Sequence, residues 1–70
     1  MKISARNIIK GTVKEITTGR LVAHVVIDVG NGIEIVSQIT AGSVENLNLA
    51  KGKSAYAVIK SDHVLIAVDE

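Results

Sequence analysis

The chain has 70 residues, 47% of them hydrophobic, and its eight Lys and Arg against seven Asp and Glu give a formal charge of +1. Near-neutral charge and a single aromatic residue, Tyr56, argue against nucleic-acid binding, which uses basic surfaces and aromatic stacking platforms. The lack of cysteine excludes disulfides and thiolate metal sites, and no apolar run approaches the roughly 20 residues that span a bilayer. So small and apolar a domain needs a further source of stability, which predicts association with copies of itself.

Clusters of Gly, Asn, Ser and Thr divide the chain into short predicted β-strands. The first strand is predicted from Ile8 to Ile16 and stops at Thr17-Thr18-Gly19. The second, Leu21 to Val29, places alternate apolar residues on one face, while its other face is only half polar. Such a face is typical of a strand that a neighbouring subunit partly covers.

A hairpin is predicted at Gly30-Asn31-Gly32, because Gly and Asn accept the positive φ angles of a tight turn. The third strand follows from Ile33 to Thr40, where alternation sets its register. The segment Ala41 to Leu49 then breaks the two-residue period, which predicts one short helix of about two turns. Gly42 or Ser43 is the expected cap of that helix.

The chain is predicted to end with two more strands, from Ser54 to Lys60 and from Val64 to Val68, joined by a tight connection at Ser61-Asp62. Five strands with a short helix between the third and fourth is the order of an OB-type Greek-key barrel. We therefore predict an all-β fold of this OB-like class. A β-sandwich fragment is the alternative, although 70 residues fall short of its usual seven strands.

Two clusters near opposite ends of the chain combine a cation with a hydroxyl. They are Ser4-Ala5-Arg6-Asn7 and Lys60-Ser61. Arg offers a rigid fork of donors, Lys a compact positive charge, and Ser an adaptable hydroxyl. If the two clusters meet, within one subunit or across several, they supply the donors that grip a small, multiply charged oxyanion.

Three segments, in this order, resemble the molbindin (Mop) family of the wider TOBE group. They are Met-x-Ile-Ser-Ala-Arg-Asn at 1–7 followed by Lys10-Gly11, Ile39-Thr40-x-x-Ser43-Val44-Glu45-x-Leu47, and Val58-Ile59-Lys60-Ser61. The similarity runs from Met1 to about Ala67. It implies a single Mop domain over residues 1–70 with an OB-like barrel. It also implies a homohexamer, a trimer of dimers, that stores molybdate or tungstate at subunit interfaces without an organic cofactor.

The resemblance also implies which residues hold the anion, a tetrahedral dianion that accepts hydrogen bonds and donates none. The main oxyanion-binding candidates are Ser4, Ala5, Arg6, Lys60 and Ser61. Weaker candidates are Asn7, Thr40, Ser43, Thr18 and Gly19. Taken without the resemblance, Arg6 would be a solvated residue at a chain tip and Lys60 a lysine that keeps a strand edge soluble. Thr40 and Ser43 would equally serve as helix caps.

The remaining polar residues suggest no catalytic centre. His24, among valines, favours an interface or core position over a metal-ligand role, and His63 has no evident function. The carboxylate of Asp62 is expected to turn outward or to pair with a cation, because it stands beside the anion-binding cluster. No nucleophile–base pair, phosphate-binding loop, metal cluster or paired carboxylates are visible, so we do not expect an enzyme.

The predicted function is molybdate or tungstate binding for intracellular molybdenum storage and homeostasis. The first residues carry no apolar segment of a signal peptide, so a cytoplasmic location is expected, with no nucleic-acid or membrane partner. The alternative is an oxyanion-sensing module. Because the sequence contains neither a helix-turn-helix nor a Walker pattern, that module would act on a separate regulator or transporter.

Overall fold

A computed structural model describes residues 1–69, which form one four-stranded antiparallel sheet and one short α-helix. The strands are β1 (Asn7–Thr18), β2 (Val22–Gly30), β3 (Ile33–Thr40) and β4 (Ser54–Ile59). Helix α1 (Ala41–Asn46) connects β3 to β4, and a 3-10 turn (Ser61–His63) follows β4. Within this described part no helix is long and apolar enough to cross a membrane.

The sheet order is β3-β2-β1-β4, and the long strand β1 is shared between two neighbours. Its first half, from Asn7 to Thr12, pairs with β4, and its second half pairs with β2. The register with β2 shifts between Val13 and Glu15. Such an irregularity bends a strand and increases its twist, which curls the sheet.

The hairpin between β2 and β3 confirms the predicted turn. Gly30 pairs with Ile33, so the loop contains only Asn31 and Gly32, whose φ angles are 55° and 74°. Two consecutive positive φ angles are the geometry of a type I′ turn, which matches the twist of antiparallel strands. Strand β3 occupies the predicted range.

The predicted helix is present but shorter than expected. It begins after Thr40, whose Oγ1 accepts a hydrogen bond from the Ser43 amide at 3.1 Å. The capping role considered for Thr40 is thus confirmed, and the predicted caps Gly42 and Ser43 were wrong. It ends because Asn48 adopts a φ of 52°. The Asn48 amide donates to the Glu45 carbonyl and the Leu49 amide to the Val44 carbonyl, each at 3.0 Å. These two bonds form a Schellman motif, which terminates helices.

The all-β class is confirmed, whereas the predicted fifth strand is not. Among residues 1–69, the segment Val64–Val68 pairs with no other strand, and its apolar side chains are exposed, Leu65 by 92%. The alternation of residue types predicted a strand here. A strand must also pair with the edge of another strand, and within the described chain no strand edge lies beside this segment. The five-stranded Greek-key arrangement is therefore not confirmed within these residues.

The core lies on one face of the sheet and is small. Val13 and Val25 are only 1% and 2% exposed, and Ala23, Ile27 and Ala57 are buried beside them. The apolar face predicted for the second strand comprised Leu21, Ala23, Val25, Ile27 and Val29. Its middle three residues are buried and Val29 is partly buried, whereas Leu21 lies before the strand and is exposed. The partly buried residues that pack against the core are Ile16, Val29, Ile35, Ile39, Leu49 and Ala55.

Candidate functional site

The register between β1 and β4 brings the two polar clusters together. Asn7, the first residue of β1, lies opposite Ile59, the last residue of β4. The Asn7 side-chain amide also donates to the Ile59 carbonyl at 3.3 Å, which ties the two strand ends. Because the strands are antiparallel, the residues that precede β1 must lie beside those that follow β4. The chain therefore juxtaposes Ser4-Ala5-Arg6 with Lys60-Ser61.

A pocket of about 410 Å³ lies at this junction. All five main candidates line it, so the two clusters meet within one chain. The lining residues are Ile3, Ser4, Ala5, Arg6, Val58, Lys60, Ser61 and Asp62. Sequence reasoning did not find Ile3 or Val58, and only the strand register could have placed them there.

The two cations of the pocket are not neutralised by an internal ion pair. In the described chain, the one salt bridge joins Lys14 to Glu34, across β1 and β3, and it does not involve Arg6 or Lys60. Its hydrogen bond and the negative charge of Glu34 raise the pKa of Lys14. The guanidinium and ammonium of the pocket thus keep their donors for a ligand.

The pocket can supply what a tetrahedral oxyanion needs. Arg6 carries a forked donor set, Lys60 adds a compact charge, and the hydroxyls of Ser4 and Ser61 can donate to further oxygens. All four residues are exposed, so in a single chain water competes with any ligand. Covering the pocket with another surface would exclude that water and strengthen the electrostatic attraction.

One residue of the pocket opposes an anion. Asp62 lies in the 3-10 turn and lines the pocket beside Lys60. Of the two expected arrangements, pairing of its carboxylate with a cation is not found within residues 1–69, where no salt bridge or side-chain hydrogen bond involves Asp62. The other arrangement, a carboxylate turned outward, stays a prediction for this exposed residue.

The weaker candidates lie in other surroundings or already have partners. The Asn7 side chain is engaged with β4, as described above. The hydroxyls of Thr40 and Ser43 are 2.7 Å apart at the start of α1, where Thr40 acts as the cap. Thr18 and Gly19 line a separate pocket of about 400 Å³ whose walls include Glu45.

The backbone amide of Gly19 is not free to donate a hydrogen bond to an anion. Its amide donates to the Val22 carbonyl at 2.8 Å, so this donor already has an acceptor. The nearby Glu45 carboxylate adds negative charge to the same pocket. The structure thus brings the Thr18-Gly19 turn beside α1 and not beside Arg6.

The histidines lie outside the pocket that contains Arg6 and Lys60. His24 is exposed on β2, with its Nε2 3.1 Å from the Gln38 side-chain oxygen on β3, so the predicted core position is wrong and an interface position remains a prediction. His63 ends the 3-10 turn. No group of three His, Asp or Glu residues that could hold a metal ion occurs in the part of the chain that the structure describes.

Comparison with known proteins gives one consistent family. The model of the TOBE domain matches residues 3–66. A probable molybdenum-pterin-binding protein of Haemophilus influenzae is 46% identical over 69 residues, which covers 99% of this chain and all of that protein.

Two solved structures agree in fold. A molybdate-binding protein from Sporomusa ovata has a TM-score of 0.90 at 40% identity, covering 97% of this chain and 100% of its own. The cytoplasmic molybdate-binding protein ModG, solved with molybdate bound, has a TM-score of 0.83 at 48% identity. That match covers 87% of this chain and 43% of ModG.

Proposed function

Because this chain belongs to the TOBE domain family, within its molbindin group, we propose that it binds molybdate in the pocket between the start of β1 and the end of β4. The observation that carries the proposal is the meeting of Arg6 and Lys60, together with Ser4 and Ser61, in one pocket. The molybdate-binding proteins of the same fold described above support the choice of anion.

The proposed contacts follow from the donors that each residue carries. Arg6 binds two oxygens with parallel N–H groups, Lys60 contacts a third, and the hydroxyls of Ser4 and Ser61 fill remaining acceptor positions. The backbone amide of Ala5 is the further donor. Tungstate has the same charge and tetrahedral shape, so the proposal extends to it. No organic cofactor is required.

We further propose that the anion is enclosed at an interface between identical subunits. The cations and hydroxyls of the pocket are exposed in the single chain, and water would weaken their charge-assisted bonds. The exposed apolar segment Val64–Val68 offers a surface for association, and pairing with a second copy would give it the strand edge it lacks. A homohexamer built as a trimer of dimers, and the completed five-stranded OB-like barrel, are the expectations that the family resemblance adds.

The biological role proposed here is storage and homeostasis of molybdenum in the cytoplasm, without catalysis. The related ModG is described as cytoplasmic and molybdate-binding. If the chain instead acts as a sensor through a separate protein, a regulator or transporter subunit will copurify with it in the presence of molybdate.

Isothermal titration calorimetry with molybdate tests the proposal. Arg6→Ala and Lys60→Ala should each weaken binding by about 1.5–3 kcal/mol, because each removes a charged hydrogen-bond donor. Lys51→Ala, a charge-matched change in an exposed turn, is the control and should leave the affinity unchanged. Absence of molybdate heat with the native chain, or native affinity in both pocket variants, would contradict the proposed function.

A further inference from the structure

Asp62 introduces a negative charge into a pocket otherwise suited to anions. The polar residues among those that line the pocket are two cationic residues, two serines and this one acidic residue. Asp62 follows Ser61 directly in the 3-10 turn, so it is held next to two of the proposed donors. A ligand in the pocket therefore meets both the attraction of the cations and the repulsion of the acid.

The carboxylate has no competing role in the described chain. It is exposed, and within residues 1–69 it takes part in no salt bridge or side-chain hydrogen bond. An ionised carboxylate accepts hydrogen bonds and donates none. Its oxygens can consequently interact favourably with an anionic ligand in only one way, by accepting a hydrogen bond from an O–H group of that ligand.

Oxyanions differ in whether they carry such a group. Molybdate, tungstate and sulfate are dianions without hydrogen in neutral and mildly alkaline water. Phosphate under mildly alkaline conditions is also a tetrahedral dianion, but it retains one O–H. Molybdate, tungstate and sulfate therefore only repel the Asp62 carboxylate, whereas hydrogen phosphate can offset the repulsion by donating a hydrogen bond to it.

We propose that Asp62 is a specificity-determining residue of this pocket. It weakens the binding of oxyanions that carry no proton and favours, by comparison, those that retain one. The inference rests on the proposed function, since it assigns a role to a residue of the same binding site. It gives Asp62 a part in selecting among anions, which is distinct from the donor roles of Arg6 and Lys60.

Sulfate and hydrogen phosphate form the matched pair of probes, because they agree in shape, approximate size and charge and differ by one proton. Each is titrated as a competitor of molybdate, at mildly alkaline pH, against the native chain and Asp62→Asn. Asp62→Glu retains the acceptor and the charge. Glu15→Gln is the control, because it removes an equal charge far from the pocket. Glu15 follows Arg6 by nine residues, which is roughly 30 Å along an extended strand.

Asp62→Asn should tighten molybdate and sulfate binding by about tenfold, because a like charge is removed at short range. The phosphate affinity should change little, because the gain from removing the like charge is offset when the charged acceptor becomes a neutral amide oxygen that accepts a weaker hydrogen bond. The ratio of phosphate to sulfate affinity should therefore fall by roughly tenfold. Asp62→Glu and Glu15→Gln should keep the native ratio.

Two outcomes overturn the inference and are distinguishable from each other. If the native chain binds molybdate and Asp62→Asn leaves the phosphate-to-sulfate ratio unchanged, whether or not the affinities rise together, the role of Asp62 is wrong while the proposed function stands. If the native chain binds no molybdate, the proposed function fails and takes the inference with it. Circular dichroism of Asp62→Asn confirms that the exposed turn tolerates the change.

Discussion

At the residue scale, Arg6 and Lys60 carry equal charges but offer different geometry. The guanidinium is planar and presents two parallel N–H groups to a pair of oxygens, whereas the ammonium is a compact charge on a flexible stem. The proposed site uses both, with the fork fixing the orientation of the tetrahedral anion and the ammonium adding attraction at one corner. The charge of residue 6 is therefore not sufficient for its role.

Arg6→Lys tests this difference, because it keeps the charge and removes the fork. The affinity for molybdate should fall by about tenfold, since one of two charge-assisted hydrogen bonds is lost. Calorimetry measures the change, with Lys51→Arg as the control for an exchange of cation type. Native affinity in Arg6→Lys would mean that residue 6 contributes charge alone.

Thr40 allows a capping role to be separated from a ligand role. Its Oγ1 accepts from the Ser43 amide, so Thr40→Ala should lower the free energy of unfolding by about 1 kcal/mol. Urea denaturation measures that loss, and calorimetry on the folded variant should give native molybdate affinity. A clear fall in affinity would instead assign Thr40 to the binding site.

At the scale of elements, strand β1 lies unusually close to β2 at Gly11. A Cβ atom at this position would lie 2.5 Å from the Asp28 carbonyl oxygen and 2.6 Å from Cγ2 of Ile27. The neighbouring backbone cannot yield as easily as the end of a flexible side chain. Gly11 thus lets β1 pass close to β2 in the same strand that directly follows Arg6 of the proposed site.

Gly11→Ala should consequently destabilise the fold by about 1–3 kcal/mol, as overpacking does in well-packed interiors. Gly42→Ala is the matched control, since a Cβ there meets nothing within 4 Å and alanine favours helix. Thermal unfolding of the two variants should therefore shift in opposite directions. Equal stability of Gly11→Ala and the native chain would contradict the close approach.

Local chemistry made several elements predictable from the sequence. Asn31 and Gly32 accept the backbone angles of a tight turn, and the alternation from Ile33 to Thr40 marks a strand with one inward face. The predicted end of the helix was too late, because Asn48 adopts a left-handed backbone conformation that stops the helix early. An asparagine can adopt this conformation but does not have to, so the sequence did not reveal it. The strand predicted for Val64–Val68 is not confirmed, because alternation reveals a strand-like pattern but not whether a partner edge is within reach.

The candidate site was predictable in its residues but not in its assembly. The motif around Arg6 and Lys60 indicated the candidate donors, whereas their meeting depends on the pairing of Asn7 with Ile59, 52 positions apart in the chain. Such a register is a non-local property. The presence of Asp62 in the pocket follows from the same register and from the turn after β4.

At the scale of the whole molecule, a small core is combined with much exposed apolar surface. Only five apolar residues of the described chain are buried, while Leu65, Ile66 and Val68 are each more than four-fifths exposed. Such a surface favours association. A ligand enclosed between subunits would then stabilise the fold and the assembly together.

Molybdate should therefore raise the unfolding temperature. At a free concentration about 100 times Kd, binding contributes about 2.7 kcal/mol, which corresponds to a rise of roughly 10 °C or more for a domain of this size. Differential scanning calorimetry measures the shift, and the Arg6→Ala variant should lose most of it. An equal shift in that variant would place the stabilising anion elsewhere.

A crystal of the protein soaked in tungstate would show directly where the anion binds, because the heavy atom is located by anomalous scattering. We predict a peak in the pocket that Ser4, Arg6, Lys60 and Ser61 line, within hydrogen-bond reach of the Arg6 guanidinium and the Lys60 ammonium. Peaks confined to other parts of the surface, with this pocket empty at saturating tungstate, would contradict it.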